Sequence, residues 1–327
     1  MKKKKIIRLI SVILSLLLCA FPLVSCGKDD TENRTVKLGG YELPDGIFRY
    51  IVINSRRDIE AVYGEKVWES EAKDRVFSEL EDTVLSYAAN FLTVYSLGAD
   101  YGISPDDKEL VYKAEDAKND IIDELGGEEE FLSGLEAEGL DESSFRELTV
   151  NDGMIDLIYA KLIASDKKNT DEAYLRTLFE GDEFIRVKQI LVGNENAGEE
   201  ARARADGILD RIEAGEDFDE VSKEYNNDLF MFGNDDGYYI MRGTRDKAFE
   251  DAAFALGIGE VSEVVKTDVG YSIIKRFEKD ADYIDAHFES LTEEYHEALY
   301  TEAYEAKFDE IHEKLALPEG TDILTIE

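Results

Sequence analysis

The segment FEDAAFALGIGEVSEVVKTDVGYSIIKRFE, from Phe249 to Glu278, changes character along its length. A helix is expected over Asp246 to Leu256. A strand is expected from Tyr271 to Phe277, where β-branched and aromatic side chains gather. Reading backwards, FIRVKQILV (Phe184 to Val192) is also strand-like. Between them lie two helical stretches, near Glu199 to Glu213 and Asp217 to Tyr225. A loop rich in Gly, Asn and Asp follows, then a short strand at Tyr238 to Met241. Strands interleaved with short helices over residues 184–280 predict a compact α+β unit.

On either side of this unit the chain reads as helix. In the stretch from Trp68 to Leu97, Phe77, Leu80, Val84, Tyr87, Phe91 and Val94 recur at spacings of three and four, an apolar stripe of helical period. Ser104 is expected to cap the next helix, with Pro105 in its first turn, and Thr170 to cap a helix that reaches Phe179. Residues 45–180 are therefore expected to be almost all helix, after a short strand or hairpin at Thr35 to Leu43 around Gly39-Gly40. Beyond Asp280 the helical pattern returns, with Tyr283, Phe288, Leu291, Tyr295, Leu299, Tyr304, Phe308 and Ile311 suggesting an apolar face. Such a face needs a partner, and the N-terminal helices are the expected one.

The chain begins with a cationic run, Lys2 to Lys5 and Arg8, followed by sixteen uncharged residues from Leu9 to Val24. That run suits the apolar core of a signal peptide and is short for a bilayer span, which takes roughly 20 apolar residues. It ends Leu23-Val24-Ser25-Cys26, which resembles the lipobox of bacterial lipoproteins. The resemblance implies a signal peptide over residues 1–25 and a lipid on Cys26. Residues 26–34 then form a tether, with no apolar side chain from Gly27 to Arg34. The chain has two cysteines, Cys19 and Cys26, so the mature form keeps one and forms no internal disulfide. Residues 1–25 hold five of the 37 basic residues and no acidic ones, which leaves 32 basic against 75 acidic and a net charge of −43. That charge repels nucleic acid and anionic lipid headgroups; it reads either as a solubility device or, more sharply, as electrostatic capture of basic, unfolded clients. The acidic residues are not spaced as calcium ligands, and no metal site is expected.

Residues 184–280 resemble a parvulin-type peptidyl-prolyl isomerase domain. The matching pieces are VKQILV (Val187 to Val192), AGEDFDEVSKEYNND (Ala214 to Asp228) and the opening segment, where F-E-x-A-A-F-x-L-x-x-G-E-V-S precedes a G-Y-x-I-I strand. The chain as a whole is similar to the extracellular foldase lipoproteins. GISPDDKEL and GLDESSFRELT resemble, more loosely, their helical chaperone segment. The implied fold class is α+β, a parvulin-like domain inserted in a mostly helical, chaperone-like domain. The implied divisions are 35–180, 184–280 and a C-terminal helix at 281–327.

The resemblance also implies site residues. Gln189 and Ser272 stand where the family places two histidines, and Asp228 stands at its acidic or thiol position. Tyr239 and Phe249 match aromatic positions of the pocket for the proline ring, and a methionine position falls near Thr244 or Arg245. Asp236 replaces a leucine, and one extra residue between Gly237 and Phe249 blurs the alignment at Thr244. Asp228 reads equally as a loop cap, and Phe249 and Tyr239 as core. The three histidines, His287, His296 and His312, lie outside the domain.

Rotation about an X–Pro bond needs no metal, nucleotide or other cofactor. It needs a dry apolar pocket and a hydrogen-bond donor that favours the twisted amide. The implied function is an extracytoplasmic foldase: a peptidyl-prolyl isomerase and chaperone, lipid-anchored on the outer face of the cell membrane. Its partners would be unfolded exported proteins and X-Pro peptides, not nucleic acid. The alternative is an inactive parvulin fold that only binds peptide.

Overall fold

The computed structural model describes residues 34–194 and 198–326. The expected signal peptide, Cys26 and the expected tether as far as residue 33 lie outside the described residues, as do 195–197 and 327. The contacts divide the described chain into two units, one of residues 34–162 with 303–326, the other of residues 163–302.

The first unit opens with a hairpin, β1 (Thr35–Leu38) paired antiparallel with β2 (Tyr41–Pro44). Gly39 turns it with φ +60°, and a Cβ there would lie 2.0 Å from the carbonyl oxygen of Lys314. Its amide donates to Ala316 O at 3.0 Å, so glycine is needed both for the turn and for the close approach of the C-terminal tail. Helices α1 (Asp45–Tyr63), α2 (Lys73–Asp100), α3 (Lys108–Leu125), α4 (Glu128–Ala137) and α5 (Glu142–Ser165) follow. The α2 stripe points inward as its spacing requires: Leu80, Val84, Phe91 and Val94 are buried, and Phe77 and Tyr87 half-buried. Leu38, Leu80, Val84, Phe131 and Phe145 share one core with Ile311, Leu315 and Ile323 from the end of the chain. Tyr304 Oη donates to Asn90 Oδ1 at 2.8 Å, and Lys307 pairs with Asp100 at 2.8 Å.

Some helix starts differ from the expected ones. Trp68 sits in a 3₁₀ turn (Glu65–Glu69) ahead of α2, its indole donating to Glu60 at 2.7 Å. Asp107, not Ser104, caps α3 by accepting from Glu109 N at 2.9 Å. Asp171, not Thr170, caps α6 (Glu172–Glu180) by accepting from Tyr174 N at 2.8 Å. At both places an aspartate stands near the weaker hydroxyl cap. The carboxylate adds its charge to the positive helix end.

In the second unit, β3 (Phe184–Val192), β4 (Tyr238–Met241), β5 (Val265–Thr267) and β6 (Gly270–Phe277) form an antiparallel sheet ordered β4-β3-β6-β5. Side chains alternate across it. On one face Ile190, Val192, Tyr271 and Ile273 are covered by α7 (Glu199–Glu213) and α8 (Phe218–Tyr225) through Ala205, Ile208, Phe218 and Val221. On the other, Ile185, Val187, Tyr238, Ile240 and Ile274 meet Phe249 and Ala253 of α9 (Lys247–Ala255). A third cluster joins Phe184, Tyr239 and Met241 to Leu175 and Phe179 of α6, Ile284 of α10 (Ala281–Ala286) and Leu291 of α11 (Phe288–His312).

Candidate active site

The period-two alternation of β3 puts Gln189 on the same face as Ile185 and Val187. That of β6 puts Ser272 beside Ile274 on the same face. The register pairs Leu191 with Ser272 and Gln189 with Ile274, so Ser272 and Gln189 are diagonal neighbours within side-chain reach. Ser272 Oγ donates to Gln189 Oε1 at 3.0 Å, and Gln189 Nε2 donates to Asp228 Oδ2 at 2.6 Å. The three positions implied by the resemblance therefore form one chain of hydrogen bonds. Ser272 is fully buried and Gln189 nearly so. The Asp228 carboxylate, which can only accept, fixes which end of the Gln189 amide is N–H, and the serine hydroxyl then donates to the other end.

Asp228 reaches the sheet because the two residues before it are clipped to β3. Asn226 Nδ2 donates to Gln189 O at 2.6 Å, and Asn226 Oδ1 accepts from Leu191 N at 2.8 Å. Asn227 N donates to Leu191 O at 2.8 Å, while its side chain accepts from Gly193 N at 2.9 Å. Asp228 is also the loop cap that its sequence position allowed, since Oδ1 accepts from Phe230 N at 3.0 Å. Asp228 thus joins the network through one oxygen and caps the loop through the other.

The fourth member of the network is Tyr238, which the sequence reading missed. Its hydroxyl donates to the same Oδ2 of Asp228 at 2.5 Å. Burial, and then the carboxylate beside it, push the Tyr238 hydroxyl above its ordinary pKa, so it is a committed donor. The tyrosine expected in the pocket, Tyr239, is on the opposite face. It stacks on Tyr283 with ring centroids 4.1 Å apart and accepts from Asp280 N at 3.0 Å. Adjacent strand residues point to opposite faces, so the choice between Tyr238 and Tyr239 follows from the pairing of Tyr238 with Val187, a residue of the site face.

Phe249 packs on the sheet face that carries Val187 and Ile274, the face of Gln189 and Ser272. It is 5% exposed, packed with Val187, Tyr238, Ile240, Ala253 and Ile274, with Met231 at its edge. Thr244 is not brought to the network: its hydroxyl donates to Met241 O at 2.6 Å and closes the turn after β4. That turn is held by the buried carboxylate of Glu250, which accepts from Gly243 N at 3.0 Å and Arg245 N at 2.7 Å. The clamp sets the Arg245 guanidinium over the Tyr238 ring, 4.1 Å from its centroid. Asp236, at the leucine position, pairs with Arg186 at 3.8 Å. None of the three histidines enters the network. His287 bonds Tyr283 O, His296 bonds Asn169 O and His312 bonds Ser86. Among the described residues no three His, Cys, Asp or Glu side chains are grouped to hold a metal ion.

The family model for the rotamase, PPIC-type PPIase domain matches residues 184–278. The chain is 36% identical over 124 residues to the foldase protein PrsA of Bacillus subtilis, covering 37% of this chain and 40% of that one. It is 29% identical over 283 residues to the foldase protein PrsA of Caldanaerobacter subterraneus, covering 82% of each. It thus spans about two fifths of the first of these relatives and about four fifths of the second. A crystal structure of a peptidylprolyl isomerase (PrsA) from Bacillus anthracis is 23% identical, covering 67% of this chain and 94% of that chain at a TM-score of 0.38. Residues 184–278, which hold β3, β4, β5 and β6, thus match the PPIC-type peptidyl-prolyl isomerase domain, and the chain as a whole is similar to the PrsA foldases.

Proposed function

We propose that this chain is an extracytoplasmic foldase whose residues 184–280 isomerise X–Pro bonds in exported proteins, while residues 35–180 and the returning C-terminal helix hold the unfolded client. The observation that carries this reading is the directed chain of donors, Ser272 to Gln189 and Gln189 to Asp228, with Tyr238 closing on the same carboxylate. It lies beside the apolar wall of Phe249.

The barrier to rotation about the peptide bond is about 20 kcal/mol, and uncatalysed X–Pro isomerisation takes roughly 10–100 s. No covalent bond is made or broken. At the top of the barrier resonance is lost, and the prolyl nitrogen holds its lone pair as a hydrogen-bond acceptor. Gln189 Nε2 carries two hydrogens. One is given to Asp228, and the other, which lies by the Tyr238 hydroxyl in the free protein, is the hydrogen proposed to be donated to that nitrogen. Because Ser272 and Asp228 hold the amide in place, the donor is preorganised, which is where such a group gains its effect. Phe249 supplies apolar contact for the proline ring.

The network contains no imidazole, the one side chain whose ordinary pKa falls between pH 5 and 8. The isomerisation rate of the intact protein is therefore expected to stay flat, within about twofold, from pH 6 to 8. A stopped-flow pH series on a proline tetrapeptide reads this directly. An inflection near pH 6.5 would require a group outside the network and would remove this mechanism. A rate equal to the uncatalysed one throughout would support the second reading, peptide binding without catalysis. That reading is favoured by Asp236, whose ion pair with Arg186 stands where an apolar wall is expected.

The proposal extends to anchoring. The sequence Leu23-Val24-Ser25-Cys26 supports a lipid on Cys26, and among the described residues no helix is long and apolar enough to cross a membrane. Cys26→Ala is expected to abolish incorporation of a fatty-acid analogue during metabolic labelling and to release the protein from membranes. Labelling retained in the variant would refute the anchor.

A further inference from the structure

The loop that delivers Asp228 to the network continues Leu229-Phe230-Met231-Phe232, four apolar residues in a chain that is 34% charged. Only Met231 turns inward, towards the cluster of Phe249. Leu229 is 82% exposed, Phe232 60% and Phe230 42%. Exposed apolar side chains scattered singly need no explanation, but a contiguous group beside a polar site does. This group is tied to the site at two points. Phe230 stacks on the Tyr238 ring, with centroids 4.7 Å apart and planes at 15°, and its amide donates to Asp228 at 3.0 Å.

We propose that Leu229, Phe230 and Phe232 are an apolar lip that makes the site select prolines flanked by a large apolar residue. The proposal rests on the reading of residues 184–280 as an isomerase site. The expected occupant is an extended client segment with its proline against Phe249 and the neighbouring apolar side chain on the lip. The lip offers no hydrogen-bonding side chain to a polar neighbour. The same loop ends in Asp235 and Asp236, and the network adds Asp228; against these stand Arg186, paired with Asp236, and Arg245 over the Tyr238 ring, so an acidic neighbour meets a net negative charge. Large apolar neighbours rank first, small ones lower and acidic ones last.

The test is kcat/KM of the full chain on a series of peptides with Phe, Leu, Ala or Glu before proline, alongside the double variant L229S/F232S. Partial burial of one large side chain gives an expected preference of about tenfold for Phe-Pro over Ala-Pro in the wild type. In the variant that ratio should fall to about twofold at an unchanged melting temperature. A wild-type ratio near one, or an unchanged ratio in the variant, overturns the lip. If the full chain isomerises none of the peptides, the isomerase reading fails separately. The lip is then read by fluorescence anisotropy of dye-labelled Phe-Pro and Ala-Pro peptides. Tighter binding of Phe-Pro that is lost in the variant supports it, and equal binding overturns it.

Discussion

Replacing Asp228 by alanine is expected to lower the isomerisation rate by about a hundredfold or more, the scale on which loss of a preorganised polar group acts. Three donors converge on this carboxylate: Gln189 Nε2 and Tyr238 Oη on one oxygen, Phe230 N on the other. Alanine leaves all three without an acceptor. Gln189 is then free to turn its amide and no longer presents a fixed hydrogen to the prolyl nitrogen. Each buried donor left unpaired costs about 1–3 kcal/mol, reduced here because Asp228 is only half-buried and water enters. Asp228→Asn separates position from charge. The amide fills the same volume, but one of its two ends must present N–H to groups that are themselves donors. Rates and thermal melts of both variants decide the matter. Near-wild-type catalysis by Asp228→Ala would remove Asp228, and with it the directed network, from the mechanism.

Phe249→Ala is expected to have the largest effect on stability, about 3–5 kcal/mol, as for other large-to-small changes in a packed core. It should also reduce catalysis to the uncatalysed rate. The side chain is buried between Tyr238, Ile240, Val187 and Ile274 of the sheet and Ala253 of its own helix, so its removal leaves a cavity beneath the site. Phe249→Leu, which refills much of that volume, should recover most of the stability and part of the rate. With two units in the chain a single two-state melt is not assured, and Trp68 is in the other unit. Hydrogen exchange of the β3 and β6 amides is therefore the better measurement. Exchange unchanged from wild type in Phe249→Ala would show that Phe249 does not support the sheet.

Much of this protein is present in local pattern. The three-and-four spacing of Leu80, Val84, Phe91 and Val94 sets a helix with a buried stripe, because side chains at that spacing share a face whatever surrounds them. The β-branched run of β3 and the strand of β6 are likewise set by residue type. Gln189, Asp228 and Ser272 were found by their places in an ordered motif, and the structure brings them within hydrogen-bond distance of one another. What local pattern does not contain is which face of a strand receives which neighbour. YYIM alternates, but only the pairing of β4 with β3 determines that Tyr238, not Tyr239, meets Asp228. Thr244 had a family position but no sheet partner to hold it there, and the extra residue in its loop closes into the turn clamped by Glu250. The clip of Asn226 and Asn227 onto β3 joins residues 35 positions apart. The sequence by itself determined most of the helices and strands, because periodicity acts over a few residues, and the resemblance pointed to three members of the hydrogen-bonded network. The tertiary structure alone decided the fourth member, the displaced tyrosine and the apolar lip, because these depend on strand register and on hydrogen bonds between distant segments.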